Sequence, residues 1–296
     1  MDELRFDGKV AVVTGAGGGL GREHALLLAS RGALVVVNDV GGSIHGEGSD
    51  DGPAARTVRE IEERGGAAVA DTSSVATPEG GEAVVQAALD AFGRIDIVVN
   101  NAGILRDKAF HNMTADQIEA VLDVHLAGAF WVTRPAWVHM RAQGYGRVVS
   151  TTSSSGILGN FGQANYGAAK TGLIGLTRVL SIEGARHGIK VNAIAPLART
   201  RLTEELFGAS AGRLEPRLVS PVVGWLSHED CPVTGEIFAV GGGRVSRYFT
   251  GLTPGHFDPH LTVETVRDNV DAIRAEEGYT TPGSLADELA ELFLRF

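Results

Sequence analysis

Cysteine is almost absent from this chain: Cys231 is the single one among 296 residues. That excludes an internal disulfide framework and a multi-cysteine metal site, and it fits a reducing compartment. Excess positive charge is lacking too. Lysine and arginine number 26 against 36 aspartates and glutamates, a net charge of −10 with no basic run to offset it. Broad binding to nucleic acid or to anionic membranes is therefore not expected. No apolar run is long enough to span a bilayer, and Met1-Asp2-Glu3-Leu4-Arg5-Phe6-Asp7 lacks the basic-then-apolar layout of a secretory signal. The chain's end, Leu294-Arg295-Phe296, is not the peroxisomal Ser-Lys-Leu address. Cytoplasm is the expected location, and no internal repeat is visible.

What the chain does have is glycine, 40 residues, and a 44% hydrophobic content that supports a sizeable core. The apolar run Val10-Ala11-Val12-Val13 ends in Thr14-Gly15-Ala16-Gly17-Gly18-Gly19-Leu20-Gly21, and helix-forming residues follow from Arg22. Strand, glycine turn and helix are the context a phosphate-binding loop needs, with free amides and the helix dipole receiving the charge. An ordinary flexible loop has similar composition, but not these flanks. Gly15, Gly17, Gly19, Leu20 and Gly21 are the candidate contacts. A second apolar strand, Ala33 to Asn38, ends in Asp39. A carboxylate there can accept both adenosine ribose hydroxyls and repels a 2′-phosphate, which favours NAD over NADP. Asp39 could instead cap a turn before Gly41-Gly42. Residues 41–52 are polar, glycine-rich and long for such a connection, a surface insertion near the adenine side with His45 in solvent.

Strands at 67–71, 95–99, 147–150, 189–194 and 236–240 alternate with helical stretches, giving about seven strands. Continuously apolar strands imply a doubly wound, Rossmann-like parallel α/β sheet covered on both faces. Ligands in such sheets bind beyond the carboxyl ends of the strands. Residues 1–249 form the main domain and 250–296 a helical C-terminal extension. A long helix is expected from Thr114, its N-cap with Gln117 as partner, to about Arg141, with Pro135 kinking or breaking it. Thr200 to Gly212 reads as a lid. In the extension, Thr262 caps a helix through Glu276, and residues 284–293 form an amphipathic segment that must dock on the body or on a sister subunit.

Tyr166 and Lys170 are four apart in Asn165-Tyr166-Gly167-Ala168-Ala169-Lys170, so a helix would put them on one face. An ammonium there would favour phenolate and lower a pKa of about 10. Ser153, just past the fifth strand, would hold the oxygen being oxidised. Taken alone, the pair equally fits the surface of an Ala/Gly-rich helix.

Together, Thr14-Gly15-x-x-x-Gly19-x-Gly21, Asn100-Asn101-Ala102-Gly103, and Ser153 before Tyr166-x-x-x-Lys170 resemble the short-chain dehydrogenase/reductase family over residues 7–243. Val36 to Gly42, Asn100 to Asp107, Gly159 to Tyr166 and the helical tail are similar to the (3R)-hydroxyacyl-CoA dehydrogenase units of type 2 multifunctional enzymes. The resemblance implies a stand-alone NAD-dependent dehydrogenase oxidising a 3-hydroxyacyl-CoA, with a free hydroxysteroid as the alternative substrate. A non-catalytic nucleotide-binding protein is the rival from another class. It further implies Tyr166 as proton acceptor, Lys170 on Tyr166 and on the nicotinamide ribose, and Ser153 on the substrate oxygen. Asn101, Ala102 and Gly103 would shape the cofactor site, with Pro196 and Thr200 near the nicotinamide. His125 stands where many members have asparagine supporting a relay water, and Leu197 follows Pro196 where glycine is usual. Arg106, Lys108, Arg199 and Arg201 are candidate CoA contacts. No metal is implied, and a homodimer or homotetramer is expected.

Overall fold

The computed structural model describes residues 3–50, 52–199 and 212–294. They divide into two compact units, Met1–Arg247 and Tyr248–Phe296. The first alternates strands and helices: β1 (Val10–Thr14), α1 (Gly19–Ser30), β2 (Leu34–Asn38), α2 (Gly52–Glu63), β3 (Ala67–Asp71), α3 (Pro78–Phe92) and β4 (Ile97–Asn100). Next come α4 (Ala115–Leu122), α5 (Gly128–Gln143), β5 (Gly146–Thr151), α6 (Ser154–Leu158), α7 (Ala164–Gly184) and β6 (Ile189–Pro196). After the residues outside the description, α8 (Ser220–Ser227), β7 (Ile237–Gly241) and β8 (Arg244–Tyr248) complete the sheet.

The strand order is β3-β2-β1-β4-β5-β6-β7-β8, with the pairs from β3 to β7 parallel. Every residue of β1 is buried, and the pleat sends Ala11 and Val13 into one core and Val10 and Val12 into the other. This is why the strands read as unbroken apolar runs: helices cover both faces. Chain order reverses between β1 and β4, where the loops after the two strands part and leave a crevice.

The eighth strand corrects the expected seven. Arg244–Tyr248 is an edge strand of exposed and half-buried residues, reached through Gly242 and Gly243, so it returns antiparallel. The long helix expected from Thr114 is two helices. Its capping box is present, with Thr114 Oγ1 accepting from Gln117 N and Gln117 Oε1 from Thr114 N. The break comes not at Pro135, which lies within α5, but at Asp123–Ala127, a single π-helical turn. That turn carries His125.

In the second unit the helix expected from Thr262 is interrupted at Asn269 into α9 (Val263–Asp268) and α10 (Val270–Arg274). α11 spans Leu285–Phe293. The unit holds itself together by a Leu252–Thr280 bridge and a stacked Phe249–Tyr279 pair. None of its described residues is buried.

Candidate active site

The glycine turn is fixed from β4. Asn101 Nδ2 donates to the carbonyls of Thr14 (2.9 Å) and Gly15 (3.2 Å). Thr14 Oγ1 donates to Val99 O (3.3 Å) and accepts from the amides of Asn101 and Ala102. Thr14 opens the glycine motif in the sequence, but its role of tying that turn to the loop after β4 is seen only in the structure. Two glycines are obligatory. A Cβ on Gly21 would lie 2.2 Å from Gly15 O, and one on Gly15, itself at φ +64°, would lie 2.8 Å from Ala102 Cα. The N-terminus of α1 has no side-chain cap and no acidic residue in its first turn. Its dipole is thus open to an anion, and the turn fits a pyrophosphate.

Asp39 caps the turn, as one of its two readings has it. Its carboxylate accepts from Gly41 N (2.7 Å), capping the turn, and from Gly17 N (2.8 Å), joining the end of β2 to the glycine turn. It also lines the cleft beside Gly15, Gly19 and Leu20. That cleft, about 580 Å³, reaches Asn101, Ala102 and Gly103 on β4's loop, then His125, Ser153, Tyr166, Lys170 and Pro196. Gly17 and Gly21, also expected to touch the cofactor, are not among the residues that line it, and Thr200 and Arg201 lie outside the described residues.

At the far end, Ser153 is the N-cap of α6 and accepts from Ser155 N at 3.1 Å. Burial raises the Tyr166 pKa above 10.0, the Ser153 side chain opposes this, and the Asp107 charge adds to the rise. Lys170 is on the same helix face, its Nζ 5.5 Å from the Tyr166 ring centroid, and donates to Thr151 O at 2.5 Å. Burial lowers Lys170 from 10.5 to about 7. The direction is therefore the opposite of the one expected from the Lys170 charge: burial outweighs the lowering influence of Ser153, and the phenol is held protonated.

His125 is buried on the π turn, edge-on to Tyr166 with ring centroids 5.2 Å apart. Its Nε2 lies 3.0 Å from Ile104 N and 2.8 Å from Ile104 O. Burial, then the Lys170 charge, pushes its pKa well below 6.5, against the Ile104 bond that raises it. The imidazole is neutral. Gly103 makes room for it, since a Cβ there would meet His125 Cε1 at 2.3 Å.

Another residue escaped the sequence reading. Asn165 accepts from Tyr166 N (2.8 Å) and donates to Gln117 O (2.8 Å) and Arg106 O (3.1 Å), fastening the first turn of α7 to the loop after β4. Two residues earlier, Gln163 Nε2 donates to Asp107 Oδ2 at 2.7 Å. Among the candidate CoA contacts, Arg106 already donates to His45 O (2.8 Å). Leu158 and Phe161 are 74% and 89% exposed, an apolar surface close in sequence to Ser153 and Tyr166.

A dinucleotide cradle that leads to a hydroxyl–phenol–lysine group belongs to the oxidoreductases acting on CH–OH. The chain is a member of the short chain dehydrogenase family, whose pattern matches residues 9–209, and such enzymes use a nicotinamide dinucleotide. It is 50% identical over 275 residues to mouse peroxisomal multifunctional enzyme type 2, covering 91% of this chain and 37% of that protein. It is 40% identical to a Mycobacterium tuberculosis hydroxyacyl-CoA dehydrogenase, covering 88% of this chain and 84% of that one. The structure of full-length peroxisomal multifunctional enzyme type 2 from Drosophila melanogaster superposes with TM-score 0.83 at 39% identity, over 99% of this chain and 50% of that chain. The chain thus spans half or less of these two multifunctional enzymes.

Proposed function

We propose that this chain catalyses the reversible NAD-dependent oxidation of a 3-hydroxyacyl-CoA to the 3-ketoacyl-CoA, the dehydrogenation step of β-oxidation. The observation that carries the reading is the gathering of Ser153, Tyr166 and buried Lys170 in the same cleft as the glycine cradle. The hydroxyacyl-CoA and multifunctional names of the relatives support the substrate class.

Ser153 donates to the substrate oxygen and steadies charge as it develops there. Tyr166 takes the hydroxyl proton on oxidation and returns it on reduction. When bound, the oxidised nicotinamide accepts the hydride leaving the carbinol carbon. Lys170, fixed on Thr151 O, offers its remaining donors to the nicotinamide ribose and lowers the barrier to phenolate. His125 stays neutral and acts as a wall that sets the Tyr166 ring. Amides of the Gly15–Gly21 turn receive the pyrophosphate, the Asn101–Gly103 backbone floors the nicotinamide half, and Pro196 flanks it; Thr200, outside the described residues, is kept as a candidate contact. The Asp39 carboxylate accepts the adenosine ribose hydroxyls and disfavours NADP.

A homodimer or homotetramer is part of the proposal. It is supported by exposed Phe130 and Val138 on α5, Val179 and Ile182 on α7, and a second unit with no buried described residue. Cytoplasm remains the compartment we favour, supported by the lone, buried Cys231; the peroxisomal names describe the relatives.

The test is NADH absorbance with NAD or NADP against (3R)- and (3S)-hydroxyacyl-CoA thioesters and free hydroxysteroids. NAD with one acyl-CoA enantiomer should give the highest kcat/KM. Preference for the free steroid, or for NADP, would overturn the corresponding part of the proposal.

A further inference from the structure

The insertion after β2 is a mostly exposed surface loop with His45 exposed, as expected, but its tip is tied to the body. Residues 41–50 form a loop closed at its base by Asp50 N donating to Val40 O at 2.9 Å. Within it, Ser43 N donates to Glu47 O (2.8 Å) and Gly46 N to Ser43 O (3.0 Å), making a compact tip. The tip reaches the loop after β4. Leu105 N donates to Ile44 O (2.9 Å), His45 Nδ1 donates to Leu105 O (2.9 Å), and Arg106 Nε donates to His45 O (2.8 Å). Gly46 packs so close to Ile104 that an added Cβ would meet Ile104 Cδ1 at 3.0 Å, and its φ of +81° favours glycine.

The sheet order gives this contact its meaning. β1 lies between β2 and β4, so a bridge from the loop after β2 to the loop after β4 passes over the carboxyl end of β1 and the glycine turn beyond it. Strands about 4.8 Å apart put β2 and β4 roughly 10 Å from each other, close to the width of a single extended dinucleotide. Gly42, Ser43, Ile44 and Gly46 line the cleft from this side. The cradle therefore has a floor, two walls and a roof.

We propose that residues 41–50 are a strap that gates dinucleotide exchange: the cofactor enters and leaves only when the tip releases Leu105 and Arg106. The inference rests on the dinucleotide reading of the cleft. It assigns to His45 and Arg106 a role in the timing of cofactor release, and it removes Arg106 from the CoA contacts. Three hydrogen bonds and one close glycine contact hold the strap, so it is strong enough to slow exchange and weak enough to open. Lid opening or product release, rather than chemistry, sets turnover in many well-evolved enzymes.

The experiment uses the full chain and stopped-flow fluorescence of NADH. Two variants loosen the strap independently. Gly46→Val drives a side chain into Ile104, and replacing Ser43 to Gly48 by Gly-Gly shortens the strap, a change the Val40–Asp50 bond should tolerate at the base. A gate slows both entry and exit, so both variants should raise the association and dissociation rate constants together, each by about tenfold, while Kd moves less than either. Unchanged rate constants in both variants, with melting curves like the parent's, would overturn the gate. A rise in dissociation alone, matched by Kd, would also overturn it and make the strap an ordinary contact. If the unaltered chain fails to bind NADH at all, the dinucleotide reading falls, and the gate with it. If it binds and only the variants' kinetics stay unmoved, the gate alone falls.

Discussion

Replacing Lys170 by methionine should stabilise the protein at low pH while destroying its activity. The Lys170 side chain is 3% exposed, and burial brings its pKa from 10.5 to about 7. At about 1.4 kcal/mol per pH unit, that gap corresponds to roughly 5 kcal/mol. The sign follows from proton counts. Below about 7 the lysine is charged in both states, and the folded state bears the whole cost of burying it. Between about 7 and 10.5 the unfolded chain binds more protons than the folded one, so stability rises with pH; above that range neither state is charged and the cost is gone. Methionine matches the stem in length but leaves Thr151 O without its donor, a loss of about 1–2 kcal/mol. The net expectation is a gain of about 3 kcal/mol at pH 6, fading to none or a small loss at pH 10. Urea midpoints of parent and variant at pH 6, 8 and 10, without cofactor and at one protein concentration, measure it directly. A variant destabilised equally at all three pH values would refute the reasoning.

Burial holds Tyr166 above its ordinary 10.0. Alcohol oxidation, which needs the phenolate, should therefore climb with pH through 10, whereas carbonyl reduction should stay flat near neutrality and fall only at high pH; initial rates in both directions test this. Asp39→Ser removes the carboxylate that opposes a 2′-phosphate and frees the Gly17 and Gly41 amides. The NADP-to-NAD ratio of kcat/KM should rise at least about tenfold, at some loss of stability measured by melting. Gly21→Ala would place a methyl 2.2 Å from Gly15 O. NADH titration should then show binding weakened by about a hundredfold or more, since the first turn of α1 must move away from the cradle.

The doubly wound sheet was legible because its central strands are apolar on both faces, so Val10 to Val13 and Val35 to Val37 leave little room for another reading. β8 was not, because an edge strand such as Arg244-Val-Ser-Arg-Tyr lacks that signature. The glycine turn, Asp39 and the Ser153, Tyr166 and Lys170 set could be read from spacing, since each depends on local geometry. Electrostatics could not. The direction of the Tyr166 pKa depends on how deeply α7 sits against the loops after β4 and β5, and burial raises it although Lys170 lies on the same helix face, as the four-residue spacing had suggested. The π turn at His125 was equally hidden, because its extra residue leaves no mark in a helical pattern that continues on both sides. Asn165 and the strap depend on contacts with distant segments, Gln117 to Asn165 and Ile44 to Leu105, which spacing along one segment does not encode.

The most direct test of the account follows deuterium from the substrate. A 3-hydroxyacyl-CoA deuterated at the carbinol carbon is incubated with NAD and either the parent chain or Tyr166→Phe, and the nicotinamide is analysed by mass spectrometry. The parent should give NADH carrying one deuterium per turnover, with none appearing in solvent. Tyr166→Phe should bind NADH as the parent does and lose about 10²–10⁴-fold in kcat. Deuterium washed into water, or a Tyr166→Phe variant that turns over like the parent, would contradict the assignment of this cleft to hydride transfer with Tyr166 as its acid and base.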